Sequence, residues 1–147
     1  MFRLFCLSVL TATAAYDAEK LEVPDVSCAS LLGMAVIATP SDEFLVNSVA
    51  AACVWAVYLA VRALCSALKS RVPMGMGDIK LLSILALSMG AAGCFRLFAI
   101  SGILSGLAAA ALVAIKKAEA GSEMAFVPFM AAAYALMLLE DVDVYVP

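Results

Sequence analysis

The sequence predicts an all-α polytopic membrane protein, a bundle of about six transmembrane helices, and three observations predict it. Hydrophobic residues make up 66% of the 147, where a soluble domain is roughly half apolar. Charged residues make up only 14%, too little polar surface to coat a water-soluble globule. The apolar residues also fall in continuous runs, not in the alternation of a β-barrel strand. The whole chain, 1–147, reads as a single membrane-embedded domain whose solvent is the lipid bilayer.

The first segment, residues 1–16, is apolar from Leu4 onward. Arg3, a short apolar core and Ala12-Thr13-Ala14 superficially resemble a secretory signal. Asp17 follows directly, however, and the loop beyond it makes better sense if the helix is retained. Residues 17–25 are the first strongly polar stretch; Pro24 biases Val23 away from helix, and Asp25 is placed to cap the second segment. That segment, 26–39, is about 21 Å long as a helix, shorter than the roughly 30 Å hydrocarbon core. Pro40-Ser41-Asp42-Glu43 forms an acidic turn before a long third segment, 44–68, where Arg62 lies near one end and snorkels to the headgroups. Residues 69–73 lead to Gly75 and Gly77, and Pro73 with this glycine pair prevents a continuous helix. The fourth and fifth segments are 79–92 and 97–115. Gly102, Gly106 and Ala110 recur at every fourth position of the fifth, a face suited to close packing on a neighbour. Residues 116–123 form a polar loop, and the sixth segment, 124–139, contains Pro128, expected to kink it. The acidic tail, 140–147, is expected in water.

Loop charges give an orientation. Lys20, Lys69, Arg71, Lys80, Lys116 and Lys117 all follow segments one, three and five, whereas the other loops set Arg96 against Asp42 and Glu43. The positive-inside rule then places the first set in the cytoplasm and both termini outside. The net charge of −3 comes without a basic patch, so nucleic acid is not an expected partner. The five cysteines lie scattered in apolar context with no C-x-x-C spacing, and the chain has no histidine. No metal or other cofactor is expected.

Asp78 is the unusual residue. It sits between two glycines and an apolar run, where a charge costs free energy. As an acid in the first turn of a helix it suits the positive end of the helix dipole, and a capping role would account for it locally. The topology adds a second acid, because Asp17 ends an outside-to-inside helix at the depth where Asp78 begins an inside-to-outside one. Two carboxylates brought together share a proton near neutral pH. The ionised one takes a proton from water and the protonated one donates to a carbonyl oxygen, which is aspartic peptidase chemistry and needs no metal, histidine or nucleophilic side chain. The same two acids also suit ion or proton binding in a small membrane transporter or channel subunit.

Gly75-Met76-Gly77-Asp78-Ile79-Lys80-Leu81 resembles the GxGDxKL signature of type IV prepilin peptidases, the GxGD family of intramembrane aspartic proteases. Asp17 followed by Pro24-Asp25 resembles that family's first motif, with Val23 where Leu or Ile is usual, and Phe126-Val127-Pro128-Phe129 partly resembles a stretch of its last helix. The resemblance implies a GxGD-type helical bundle in the plasma membrane with its active site facing the cytoplasm. It implies a leader peptidase that cuts the short basic leader from prepilin-like precursors and serves pilus or secretion machinery. Asp17 and Asp78 are then the catalytic dyad, Gly75 and Gly77 shape the loop carrying Asp78, and Lys80 either orients that loop or meets lipid phosphate. The larger family enzymes carry an N-terminal cytoplasmic segment with paired cysteines and a methyltransferase activity. Their absence here implies the short, peptidase-only form seen with Tad/Flp pili or the archaeal preflagellin type.

Overall fold

A computed structural model describes residues 2–68, 75–115 and 124–143, and among them the regular elements are five α-helices. They are α1 (Phe2–Lys20), α2 (Asp25–Ala38), α3 (Ser41–Ala67), α4 (Met76–Ala114) and α5 (Val127–Asp143). The loops expected at 69–73 and 116–123, and the end of the tail at 144–147, lie outside the described residues. The chain divides into two compact units, Met1–Val23 with Arg96–Pro147, and Pro24–Phe95.

In the first unit α1 packs on α5. The buried residues of α1 are Cys6, Leu10, Thr13, Ala14 and Asp17, a spacing that places them along one helix face. On α5, Val127, Met130, Ala131 and Tyr134 form the matching buried stripe. α1 runs to Lys20, past the apolar segment and into the polar stretch. It ends at Leu21, whose φ of 55° is left-handed and whose N–H bonds the Asp17 carbonyl at 2.8 Å. A non-glycine residue there costs roughly 1–2 kcal/mol. Pro128 does not kink α5 as expected. It is the second helical residue, and the Phe126 carbonyl accepts the first helical N–H groups, from Phe129 and Met130. A proline in the first turn sacrifices no helical bond. α5 also continues past residue 139 into the expected tail, where Arg96 forms an ion pair with Glu140.

In the second unit residues 81–87 are buried without interruption, so the first arm of α4 is its core. Two side-chain bonds fasten it. Thr39 donates to the Leu87 carbonyl at 3.2 Å, and the Trp55 indole N–H donates to the Ser83 hydroxyl at 3.1 Å. Six separate helices are not observed, because the expected fourth and fifth segments fall within the single element α4. They remain distinct arms of it. Gly90 adopts φ 71° and ψ −179°, a conformation essentially confined to glycine. Twelve residues of straight helix span about 18 Å, yet the Cys94 thiol lies 3.7 Å from the Leu82 carbonyl oxygen. The chain therefore doubles back at Gly90, earlier than the break expected at 93–96. The Asn47 side chain from α3 closes over the turn, its Oδ1 3.0 Å from where a Cβ on Gly90 would stand.

α3 and α4 are long and apolar enough to cross a membrane. α3, at 27 residues or about 40 Å, exceeds the roughly 30 Å core. Its buried residues are Asn47 and Tyr58, while Leu45, Val46 and Val49 are exposed, an inversion suited to lipid. Val26 and Ile37 of α2 are likewise about four-fifths exposed, at 81% and 80%. Among the described residues the two glycines of the small-residue stripe do not meet a neighbour: a Cβ on Gly102 or Gly106 would find nothing within 4 Å.

The turn gives a paired prediction. Gly90→Ala should lower stability by about 1–3 kcal/mol for the strained backbone alone, with the approach of Asn47 adding to it. Gly102→Ala should be neutral or stabilising by up to about 1 kcal/mol. Thermal unfolding in detergent micelles checks this, and equal effects at the two glycines would refute the fold-back at Gly90.

Candidate active site

Asp17 continues the buried stripe of α1, so the helix period itself turns its carboxylate toward α5. The residue is 4% exposed. A buried carboxylate is tolerable only with hydrogen-bond donors, and the N-terminus of α5 supplies them. The Val127 N–H donates to Asp17 Oδ2 at 3.1 Å. A helix start offers unpaired N–H groups and positive potential, so it suits an acid. A cavity of about 440 Å³ opens at this junction, lined among others by Ala18, Glu19, Leu21, Met124, Ala125 and Pro128.

Asp78 belongs to the second unit. It is the third residue of α4 and half-buried. Its Oδ2 lies 3.5 Å from where a Cβ on Gly75 would stand, so the carboxylate folds back over the start of the helix. Gly75 immediately precedes α4 and Gly77 is its second residue. Among the described residues Gly90 is the glycine with left-handed φ; Gly75 and Gly77 are not in that conformation.

Lys80 pairs with Asp25, Nζ to Oδ1 2.8 Å. The ion pair joins the first residue of α2 to the first turns of α4. Asp25 does not cap α2 as expected: the N-cap is Pro24 and no side chain caps it. The Lys80 hydrogen bond and charge hold the Asp25 carboxyl below the usual carboxylate range. Its contribution is therefore complete above the ordinary carboxylate pKa of about 4 and is lost as pH falls through the lowered value.

Three features escaped sequence reasoning. The Val127 amide carries no side-chain signature, although a proline at the next position, which removes a competing N–H, is a cue. Asn47 is a polar residue inside an apolar helix, and that interruption was available as a signal. The Asp25–Lys80 pair spans 55 positions with nothing local to announce it. Among the described residues there is no group of His, Cys, Asp and Glu that could hold a metal ion.

Asp25→Asn should lower the melting temperature in low-salt micelles. The deficit should shrink as salt rises and disappear below the lowered Asp25 pKa, and the Asp25→Lys/Lys80→Asp swap should recover most of it. A deficit indifferent to salt and pH would show that the ion pair is not its source.

Compared with known proteins, residues 4–110 match the family model described as the type IV leader peptidase family. No curated protein and no solved structure matches the chain.

Proposed function

The chain belongs to the type IV leader peptidase family, and is thereby a prepilin-type peptidase of the aspartic class; from that premise we propose that Asp17 and Asp78 form its catalytic dyad. The protein removes the short basic leader from type IV prepilin-like precursors at the cytoplasmic face of the plasma membrane. The whole chain acts as one multi-pass peptidase domain. The observation that carries this reading is the family match itself, which spans both aspartates and the Gly75–Leu81 motif. The burial of Asp17 supports it, because a carboxylate kept out of water and held by a backbone donor is preorganised for proton transfer. The cytoplasmic orientation rests on Lys20, Lys69, Arg71, Lys80, Lys116 and Lys117.

In the reaction one aspartate is ionised and the other protonated, since like charges in proximity do not both ionise cheaply. The ionised carboxylate takes a proton from water, the resulting hydroxide attacks the scissile carbonyl carbon, and the protonated carboxyl donates to the carbonyl oxygen. Collapse of the tetrahedral intermediate then breaks the C–N bond as the leaving amine gains a proton. Glu19, at the rim of the cavity beside Asp17, provides negative charge toward a basic leader.

Co-expression with a prepilin-like precursor tests the reading. Asp17→Asn and Asp78→Asn should each reduce leader removal by on the order of 10³-fold or more, near the upper range for losing a general acid or base, while both variants remain in the membrane. Cleavage that persists in either variant would overturn the dyad. Proton flux dependent on both residues, with no precursor cut, would favour the transporter reading.

A further inference from the structure

The family match ends at residue 110, and α5 lies wholly beyond it. α5 nevertheless donates a hydrogen bond to Asp17 across 110 positions of sequence. We propose that the N-terminus of α5 belongs to the catalytic apparatus, with the Val127 N–H as the positioning group that fixes the Asp17 carboxylate. The proposal rests on the reading that Asp17 is catalytic and adds to it a residue that the family match does not reach.

The local sequence makes this bond specific. At the start of a helix the first N–H groups have no helical acceptor. Phe126 is the N-cap, its carbonyl already used by Phe129 and Met130, and Pro128 has no N–H to offer. Val127 is therefore the helical residue of this turn whose N–H precedes the proline gap, and Asp17 Oδ2 is its acceptor at 3.1 Å. The Val127 side chain is fully buried, as are Leu10 on α1 and Met130 on α5, so packing along both stripes fixes the register that the bond requires.

One held oxygen restricts rotation of the carboxylate about its side-chain bonds. The cavity at this junction is lined by Ala18 and Glu19, which follow Asp17, and by Ala125 and Pro128, which flank the donor. The chain on both sides of the Asp17–Val127 bond thus borders the same cavity. Val127 touches neither water nor peptide in this scheme and acts only through Asp17. The other ionisable groups near Asp17 in sequence are Tyr16, Glu19, Lys20 and Glu22, with Lys20 Nζ 3.2 Å from the Tyr16 hydroxyl. The first turn of α5 contributes no acidic group.

The test compares Val127→Pro, which deletes the N–H, with Val127→Ala, which keeps it and loses side-chain packing. Proline is well accepted at the first helical position. Each full-length variant is reconstituted in phospholipid vesicles and assayed on a fluorogenic peptide spanning the basic leader junction of a prepilin-like precursor. Relative to Val127→Ala, Val127→Pro should lower kcat about 10-fold, as for loss of a hydrogen bond to a charged group, with KM within about twofold. The acid limb of its pH–rate profile should move up by roughly half to one pH unit, because the ionised carboxylate loses a donor. Equal kcat and an unmoved acid limb in the two variants, with Asp17→Asn inactive, would overturn this inference and leave the dyad standing. Activity in Asp17→Asn would instead overturn the dyad. If Val127→Pro lacks a cooperative thermal transition, amide hydrogen exchange decides. The Val127 amide should exchange at least about 10-fold faster in Asp17→Ala than in the wild-type protein, with Ala133 unchanged, and equal protection would overturn the proposal.

Discussion

A carboxylate buried on an otherwise apolar helix face is the constraint on which the first unit depends. Asp17 stands where the period of α1 would place an alanine or leucine, in line with Leu10 and Ala14. Left unpaired, such a group costs several kcal/mol, so whatever packs there must bring donors. A helix N-terminus is the secondary-structure element with donors to spare, and α5 begins at that point. The polar neighbour Thr13 is satisfied within its own helix, donating to the Val9 carbonyl at 2.8 Å. The junction is thus closed in hydrogen-bonding terms, and Asp17 is held by backbone instead of by a mobile side chain.

The second unit meets a different constraint, the reversal of a nearly uninterrupted apolar run. Residues 81–87 are buried all round, so the run must turn without exposing its interior. Gly90 supplies the turn through a backbone conformation closed to other residues, and Asn47 occupies the space a side chain would have taken. At the opposite end of the same arm, Asp78 lies in the first turn and Lys80 is tied to Asp25. One arm of α4 therefore carries a candidate catalytic acid at its start, a packed core in its middle and a glycine reversal at its end.

Much of the secondary structure was legible because prolines punctuate it. Pro24 and Pro40 sit at the starts of α2 and α3, and both helices lie within a few residues of their expected bounds. The family was legible from the Gly75–Leu81 motif, which the match over residues 4–110 bears out. The features that were not legible depended on partners distant in sequence. Asp25 reads locally as a cap, and only the approach of Lys80 makes it an ion pair. Pro128 reads as a kink within an apolar run, and only the true start of α5 makes it a first-turn residue. Gly90 was hidden among small residues, Gly90-Ala91-Ala92-Gly93, where local propensity does not single out the left-handed position.

Membership of the type IV leader peptidase family makes the chain a peptidase of the aspartic class, and α3 and α4 are long and apolar enough to cross a membrane. For the proposed dyad to act on one water, the Asp17 and Asp78 carboxyls must come within about 3–6 Å of each other in the active protein. Proximity is measured most directly by replacing the five native cysteines, introducing Asp17→Cys with Asp78→Cys, and treating intact membranes with a short bifunctional thiol reagent. A dyad predicts efficient intramolecular cross-linking at this pair and little when either cysteine is moved two turns along its helix. Cross-linking of Asp17→Cys with Asp78→Cys no better than that of the displaced pairs would contradict it.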